Sequence, residues 1–173
     1  MESFSYYDLG RIEYGKALDL QTNSFESLID AKRKGLEEQN CLYFCEHNPV
    51  LTLGKSGKET NLLVPELLLK EKGVSLFHID RGGDITYHGP GQITGYPVFD
   101  LDGFGMGLKA YIHTLEDIVI EFLLLYGVKA ERLDGATGVW LAAGTKDERK
   151  ICAIGVRSSH FVTMHGLALN VNT

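Results

Sequence analysis

The sequence predicts an α+β fold, a mixed and mainly antiparallel sheet with helices packed against one face. Three observations lead there. Residues 14–35 and 107–126 carry apolar side chains at helical spacing. Short strand-like runs lie between and after them, punctuated by Gly, Pro, Asp-Gly and Ala-Gly. The two kinds of element are unevenly mixed along the chain. With 173 residues, 44% hydrophobic and 23% charged, the chain suits one globular domain with a real core.

The first helix should bury Leu18, Phe25, Leu28 and Ile29 and end in the basic run Lys32 to Lys34, near the negative end of its dipole. A strand follows over residues 41–47 and Pro49 ends it. Leu51-Thr52-Leu53-Gly54 leads into a polar loop, residues 55–61. A short helix starts at Pro65 and stops at Gly73. Residues 74–79 alternate as a strand. The second long helix places Leu108, Tyr111, Ile112, Leu115, Ile118, Val119, Phe122 and Tyr126 at 3.6-residue intervals, with Gly127 as its stop. Strands are then expected over residues 128–133, 138–142, 149–156 and 161–172.

Composition narrows the function. A formal charge of −6 argues against general nucleic-acid binding. No apolar run reaches membrane-spanning length, and the acidic, aromatic N-terminus lacks the features of a signal peptide. A cytoplasmic protein is the expectation. Cys41, Cys45 and Cys152 are an odd set, which argues against a disulfide framework. Cys41, Cys45 and His47 share one face of a strand, but no fourth metal ligand is evident. Buried core thiols are the expected reading, with no metal.

The most informative segment is Arg81-Gly82-Gly83-Asp84-Ile85-Thr86-Tyr87-His88-Gly89-Pro90-Gly91-Gln92. Its glycines let backbone approach a ligand closely, and Arg81 and His88 add donors at its two ends. It is not a phosphate-binding P-loop, since no Gly-Lys-Ser/Thr follows. It is not a dinucleotide fingerprint, since a strand rather than a helix should follow. Local chemistry leaves a structural turn and a ligand loop both open. Tyr87 either lines an apolar tunnel or anchors the loop, and Asp84 is read as pairing with Arg81. His88 and His165 are candidate donors to a carbonyl, and Trp140 is read as core.

Several ordered blocks carry a family resemblance. They are Glu46-His47-Asn48-Pro49-Val50-Leu51-Thr52-Leu53-Gly54-Lys55, the glycine segment continued through Gly95-Tyr96-Pro97, Gly138-Val139-Trp140, Lys150-Ile151-Cys152-Ala153-Ile154-Gly155-Val156-Arg157, and Thr163-Met164-His165-Gly166-Leu167-Ala168-Leu169-Asn170-Val171-Asn172. Together they resemble the octanoyltransferases of lipoate biosynthesis, also called lipoate-protein ligase B, from about residue 41 onward. The resemblance implies the fold of the lipoate and biotin ligase catalytic domain, spanning residues 1–173 as one domain. It implies transfer of an octanoyl group from octanoyl-acyl carrier protein to a lysine of lipoyl domains, in 2-oxoacid dehydrogenase complexes and the glycine cleavage H protein. The transfer would pass through a cysteine thioester, without cofactor, nucleic acid or membrane.

By the same resemblance, Lys150 is the catalytic lysine. Residues Arg81 to His88, Ala153-Ile154-Gly155 and Gly166-Leu167-Ala168 bind substrate. From the residues themselves, Lys150 shares a strand face with Cys152, Ile154 and Val156. An ammonium beside a thiol favours thiolate, the reactive form. The family nucleophile lies in a Pro-Cys-Gly segment downstream of Asn-Val-Asn, so a chain stopping at Thr173 is expected to be truncated and inactive alone, with Cys152 no substitute. Lys55, Lys58, Arg149 and Arg157 flank the blocks and are expected to form a basic patch for the acidic carrier. Two other readings are an ATP-dependent lipoate or biotin ligase and a non-catalytic acyl- or lipoyl-domain-binding module.

Overall fold

The computed structural model describes residues 3–173. Its larger sheet has seven strands in the order β1 (Phe4–Ile12), β2 (Asn40–His47), β6 (Gln92–Val98), β10 (Val162–Asn170), β9 (Arg149–Ser159), β8 (Ala136–Leu141) and β7 (Glu131–Leu133). A three-stranded sheet is ordered β4 (Ser75–His78), β3 (Val50–Leu53), β5 (Ile85–His88). The helices are α1 (Tyr14–Lys34), α2 (Glu66–Glu71) and α3 (Leu108–Leu125). β1 runs parallel to β2 and β3 parallel to β4, while the other pairings are antiparallel. The mixed, mainly antiparallel α+β expectation holds.

The helices do not share one face. Strand alternation sends Cys41, Tyr43 and Cys45 of β2, with Tyr96 and Val98 of β6, toward Ala17, Phe25, Leu28 and Ile29 of α1. Cys152 and Ile154 of β9 and Leu169 of β10 point the other way, onto Tyr111, Leu115, Val119 and Leu123 of α3. Both faces of the sheet are thus apolar, and each needs a cover. Full burial of a side chain such as Phe25 or Leu115 contributes about 2 kcal/mol.

α1 ends as its sequence suggests. Gly35 adopts a left-handed φ of 66° and its N–H caps the last turn, while Lys32 Nζ lies 2.6 Å from carboxylate oxygens of both Asp100 and Asp102. Pro65 is the N-cap of α2 rather than its first helical residue. Three strand assignments change. β1 carries no clear signal in the sequence, residues 50–53 form a strand of a separate sheet, and the glycine segment itself contains β5. Residues 128–130 lie outside any strand. Ile118 and Phe122 of α3, and Tyr126 at its C-cap, remain exposed despite their helical rhythm. Ile118 and Phe122 line an open apolar groove of about 640 Å³ with Tyr6, Phe44, Ile93 and Leu167.

No helix among the described residues is long and apolar enough to cross a membrane.

Candidate active site

The smaller sheet lies against the larger one where β9 loses its β8 partner. Pairing of β8 with β9 runs only as far as Val139 and Cys152. Beyond it the glycine segment takes over, with Gly82 N–H donating to Val156 O at 3.0 Å. Gly155 has no side chain because none fits: a Cβ there would lie 2.9 Å from Gly82 O. The segment is tied on its other side to the end of β3. Gly54, Lys55 and Ser56 N–H groups donate to the carbonyls of Asp84, Arg81 and Gly83 at 2.9–3.1 Å. Gly54 is equally confined, since a Cβ would stand 2.5 Å from Gly83 O.

Arg81 locks this arrangement from inside. It is buried, and its Nη2 donates to Thr52 O and Thr52 Oγ1, both at 2.9 Å, while Nη1 donates to Gly82 O at 2.9 Å. Burial lowers its pKa from the ordinary arginine value. The expected Arg81–Asp84 pairing is not what holds the turn. Asp84 Oδ2 instead accepts from Asn61 Nδ2 at 2.6 Å. The planar guanidinium is directed at Thr52 and Gly82, and its Nη1 and Nη2 groups serve two carbonyls and a hydroxyl.

A cavity of about 200 Å³ opens between this segment and β9–β10. The structure brings to it Arg81, Gly82, Gly83, Asp84, Ile85, Thr86 and His88, then Lys150, Ala153, Ile154 and Gly155, then Gly166, Leu167 and Ala168. Of the residues expected at the site, Tyr87 is the exception. On β5 its side chain alternates away from Thr86 and His88, and the residue is exposed beside Gly89. It lines no tunnel. The apolar groove is larger than this cavity, and the charged residues Asp8, Arg11 and Glu46 are among those that line it.

Lys150 is exposed as a residue, yet its Nζ sits 4.7 Å from the centroid of the Trp140 ring. Burial lowers its pKa, and the Cys152 thiol opposes that. Trp140 is half-buried and carries the lysine, and it belongs to neither core cluster. The β8–β9 register shifts between Val139 and Trp140, opposite Lys150. An irregularity of this kind re-aims a side chain. Glu116 of α3 accepts from Gly138 N–H at 2.9 Å and from Arg132 Nε at 2.8 Å, which fixes the β7–β8 edge behind Trp140.

The cysteines are core groups. All three are buried; burial pushes the Cys45 thiol up to about 11 and the Cys152 thiol up to about 12. Lys150 pulls Cys152 down by less than burial raises it. Neither Cys45 nor Cys152 is a poised thiolate.

Further residues line the cavity: Tyr14 from the start of α1, Tyr96 from β6 and His165 from β10. Tyr96 OH hydrogen-bonds His47 Nε2 at 2.6 Å, and His47 Nδ1–H donates to Ile12 O at 2.9 Å. His165 has a left-handed φ of 61°, its N–H donates to Gln21 Oε1, and its Nε2 lies 3.3 Å from Asp80 Oδ1. Asp80 Oδ2 also holds Arg157 at 2.7 Å. Arg157 is thereby removed from the expected basic patch, with its guanidinium 4.8 Å from the Phe25 ring centroid. Tyr14 falls at the start of the α1 pattern in sequence, but nothing there separates a site residue from a core residue.

His88 and His165 make the fold acid-sensitive. Burial lowers both pKa values to about 4, against assistance from Gln92 and Asp80 respectively. Both are neutral at pH 7 when folded, and they bind protons near pH 6.5 when unfolded. The folded state therefore binds fewer protons between pH 6.5 and 4. Their contribution is complete above about pH 6.5 and is lost as pH falls toward 4. Denaturant unfolding should show stability dropping by a few kcal/mol across that window. The drop should be smaller in the His88→Gln variant.

Residues 14–173 match the family model described as the lipoyl protein ligase A/B catalytic domain. The chain belongs to this family. An octanoyltransferase of Parabacteroides distasonis is 67% identical over 174 residues, covering 100% of this chain and 79% of its own length. One from Bacteroides fragilis is 59% identical over 162 residues, covering 94% and 73%. The fold resembles a bi-partite lipoate protein ligase from Thermoplasma acidophilum, described with its E2 lipoyl domain, at TM-score 0.72 and 18% identity. That match covers 100% of this chain and 63% of the archaeal one. A lipoate-protein ligase A bound with ATP aligns at TM-score 0.66 and 17% identity, covering 100% and 68%. At such identity these two solved structures establish the fold alone.

Proposed function

We propose that this protein transfers an octanoyl group from octanoyl-acyl carrier protein to a lysine of a lipoyl domain, through a cysteine thioester. The observation that carries the reading is the convergence of the glycine segment, Ala153 to Gly155 and Gly166 to Ala168 on one cavity beside Lys150. The 67% identical relative named octanoyltransferase supports the reaction class. The resemblance assigns the nucleophile to a Pro-Cys-Gly segment downstream of Asn172, and the burial of the three cysteines described above supports that assignment.

Lys150 fits two tasks in this reaction. As an ammonium it stabilises the thiolate that attacks the donor thioester. Burial lowers its pKa, which favours the neutral amine that can take the proton released by the incoming lysine. Lys55, Lys58 and Arg149 are the exposed cations that remain for steering the acidic carrier.

The test uses the full-length protein, octanoyl-acyl carrier protein and an apo lipoyl domain, followed by mass spectrometry. An octanoyl adduct on the lipoyl domain without ATP is expected, as is no stable adduct on Cys41, Cys45 or Cys152. Modification that requires ATP and free octanoate would make the protein a ligase. No modification with either donor would leave a binding module.

A further inference from the structure

Among side chains lining the cavity, most donors are already engaged by protein. Arg81 is directed at Thr52 and Gly82. Tyr96 OH is bonded to His47, whose own Nδ1–H goes to Ile12 O, so Tyr96 is the donor. His88 Nδ1 lies 2.7 Å from Gln92 Oε1 and donates to it. His165 Nε2 faces Asp80. The backbone N–H of Gly82 is taken by Val156 O. Among these side chains, the Lys150 ammonium and the hydroxyls of Tyr14 and Thr86 have no hydrogen-bond partner among the described residues, and His165 Nδ1 is a buried nitrogen without one.

Tyr14 differs from Thr86 in how firmly it is held. It is 4% exposed. Its ring stacks on His88 at 5.9 Å and 13°, and meets Phe77 at 5.0 Å and His47 at 5.2 Å. The residue lines the cavity together with Arg81, His88 and Tyr96. Thr86 lines the same cavity but is only half-buried. A donor that is prefixed and already desolvated strengthens most when charge develops opposite it.

We propose that Tyr14 is a catalytic residue whose hydroxyl donates to the thioester carbonyl oxygen during octanoyl transfer. The inference rests on the transferase reading above. As the acceptor lysine nitrogen forms its bond to the carbonyl carbon, the π electrons move to oxygen, and the Tyr14 O–H bonds the oxyanion without giving up its proton. On collapse the C=O bond reforms and the C–S bond breaks. The proton lost by nitrogen passes by way of Lys150 to the departing thiolate. Burial raises the phenol pKa, so the group stays a donor throughout the working pH range.

The test compares Tyr14→Phe and Thr86→Val with the parent full-length protein. Tyr14→Phe keeps the ring stack, so its melting temperature should be close to the parent's. Its kcat should fall on the order of 100-fold with KM little changed. In isotope-edited infrared spectra of a bound octanoyl thioester, the labelled carbonyl should absorb at higher frequency in Tyr14→Phe than in the parent. Parent activity together with an unchanged kcat and carbonyl band in Tyr14→Phe would overturn this proposal and leave the transferase reading standing. A loss confined to Thr86→Val would move the role to Thr86. A parent without transfer activity would remove the transferase reading itself.

Discussion

Replacing Lys150 by Ala in the full-length protein should lower turnover by two or more orders of magnitude while leaving the fold largely intact. That is the scale of losing general acid–base assistance. The structure explains why folding should survive. Lys150 is exposed, and its closest described interaction is the one with the Trp140 ring, so no buried partner is stranded. Lys150→Arg should restore little. A guanidinium keeps the charge over Trp140 but cannot release a proton in the working range. Steady-state rates with octanoyl-acyl carrier protein, set beside thermal melts of the same preparations, decide the matter. Wild-type turnover in Lys150→Arg would reduce the lysine to a fixed positive charge.

Arg81→Ala should be the most damaging single change to stability. It removes three donors from Thr52 O, Thr52 Oγ1 and Gly82 O in a buried setting, and leaves those acceptors without that partner. A cost on the order of 3 kcal/mol is expected. The glycine segment should then detach from β3, so octanoyl transfer should fail even in conditions where the protein remains folded. Arg81→Lys should not recover it, because one ammonium cannot span the acceptors of Thr52 and Gly82 in the geometry of a planar fork. Denaturant midpoints and transfer rates measured together would expose an error. A full-strength enzyme with an unchanged midpoint would show that the clamp is dispensable.

Much of the site is legible in the order of the amino acids. Lys150, Ala153 to Gly155 and Gly166 to Ala168 are singled out only by the family resemblance, whereas the glycine segment stands out by residue type, because close backbone approach favours glycine. The long helices are legible for a similar reason, since apolar spacing of 3.6 residues and a glycine stop are properties of the local chain. Tyr87 is different. Its outward direction follows from alternation on β5, and a segment so rich in glycine reads as one loop with no alternation in it. Trp140 reads as core because a lone indole is mostly apolar surface, whereas its half-exposed ring is defined by a lysine on the neighbouring strand.

Local chemistry alone thus determines which segments are helical, which thiols belong in the core and which glycines permit close approach. These are preferences written in neighbouring residues. What covers each sheet face, which acceptors consume the Arg81 donors and which hydroxyl is left facing the cavity depend on residues far apart in the chain. Thr52 and Arg81 meet across 29 positions, and Gln21 reaches His165 across 144. Only the tertiary structure could decide them, because a hydrogen bond is assigned by distance in space, and in this fold that distance is set by the docking of one sheet on another.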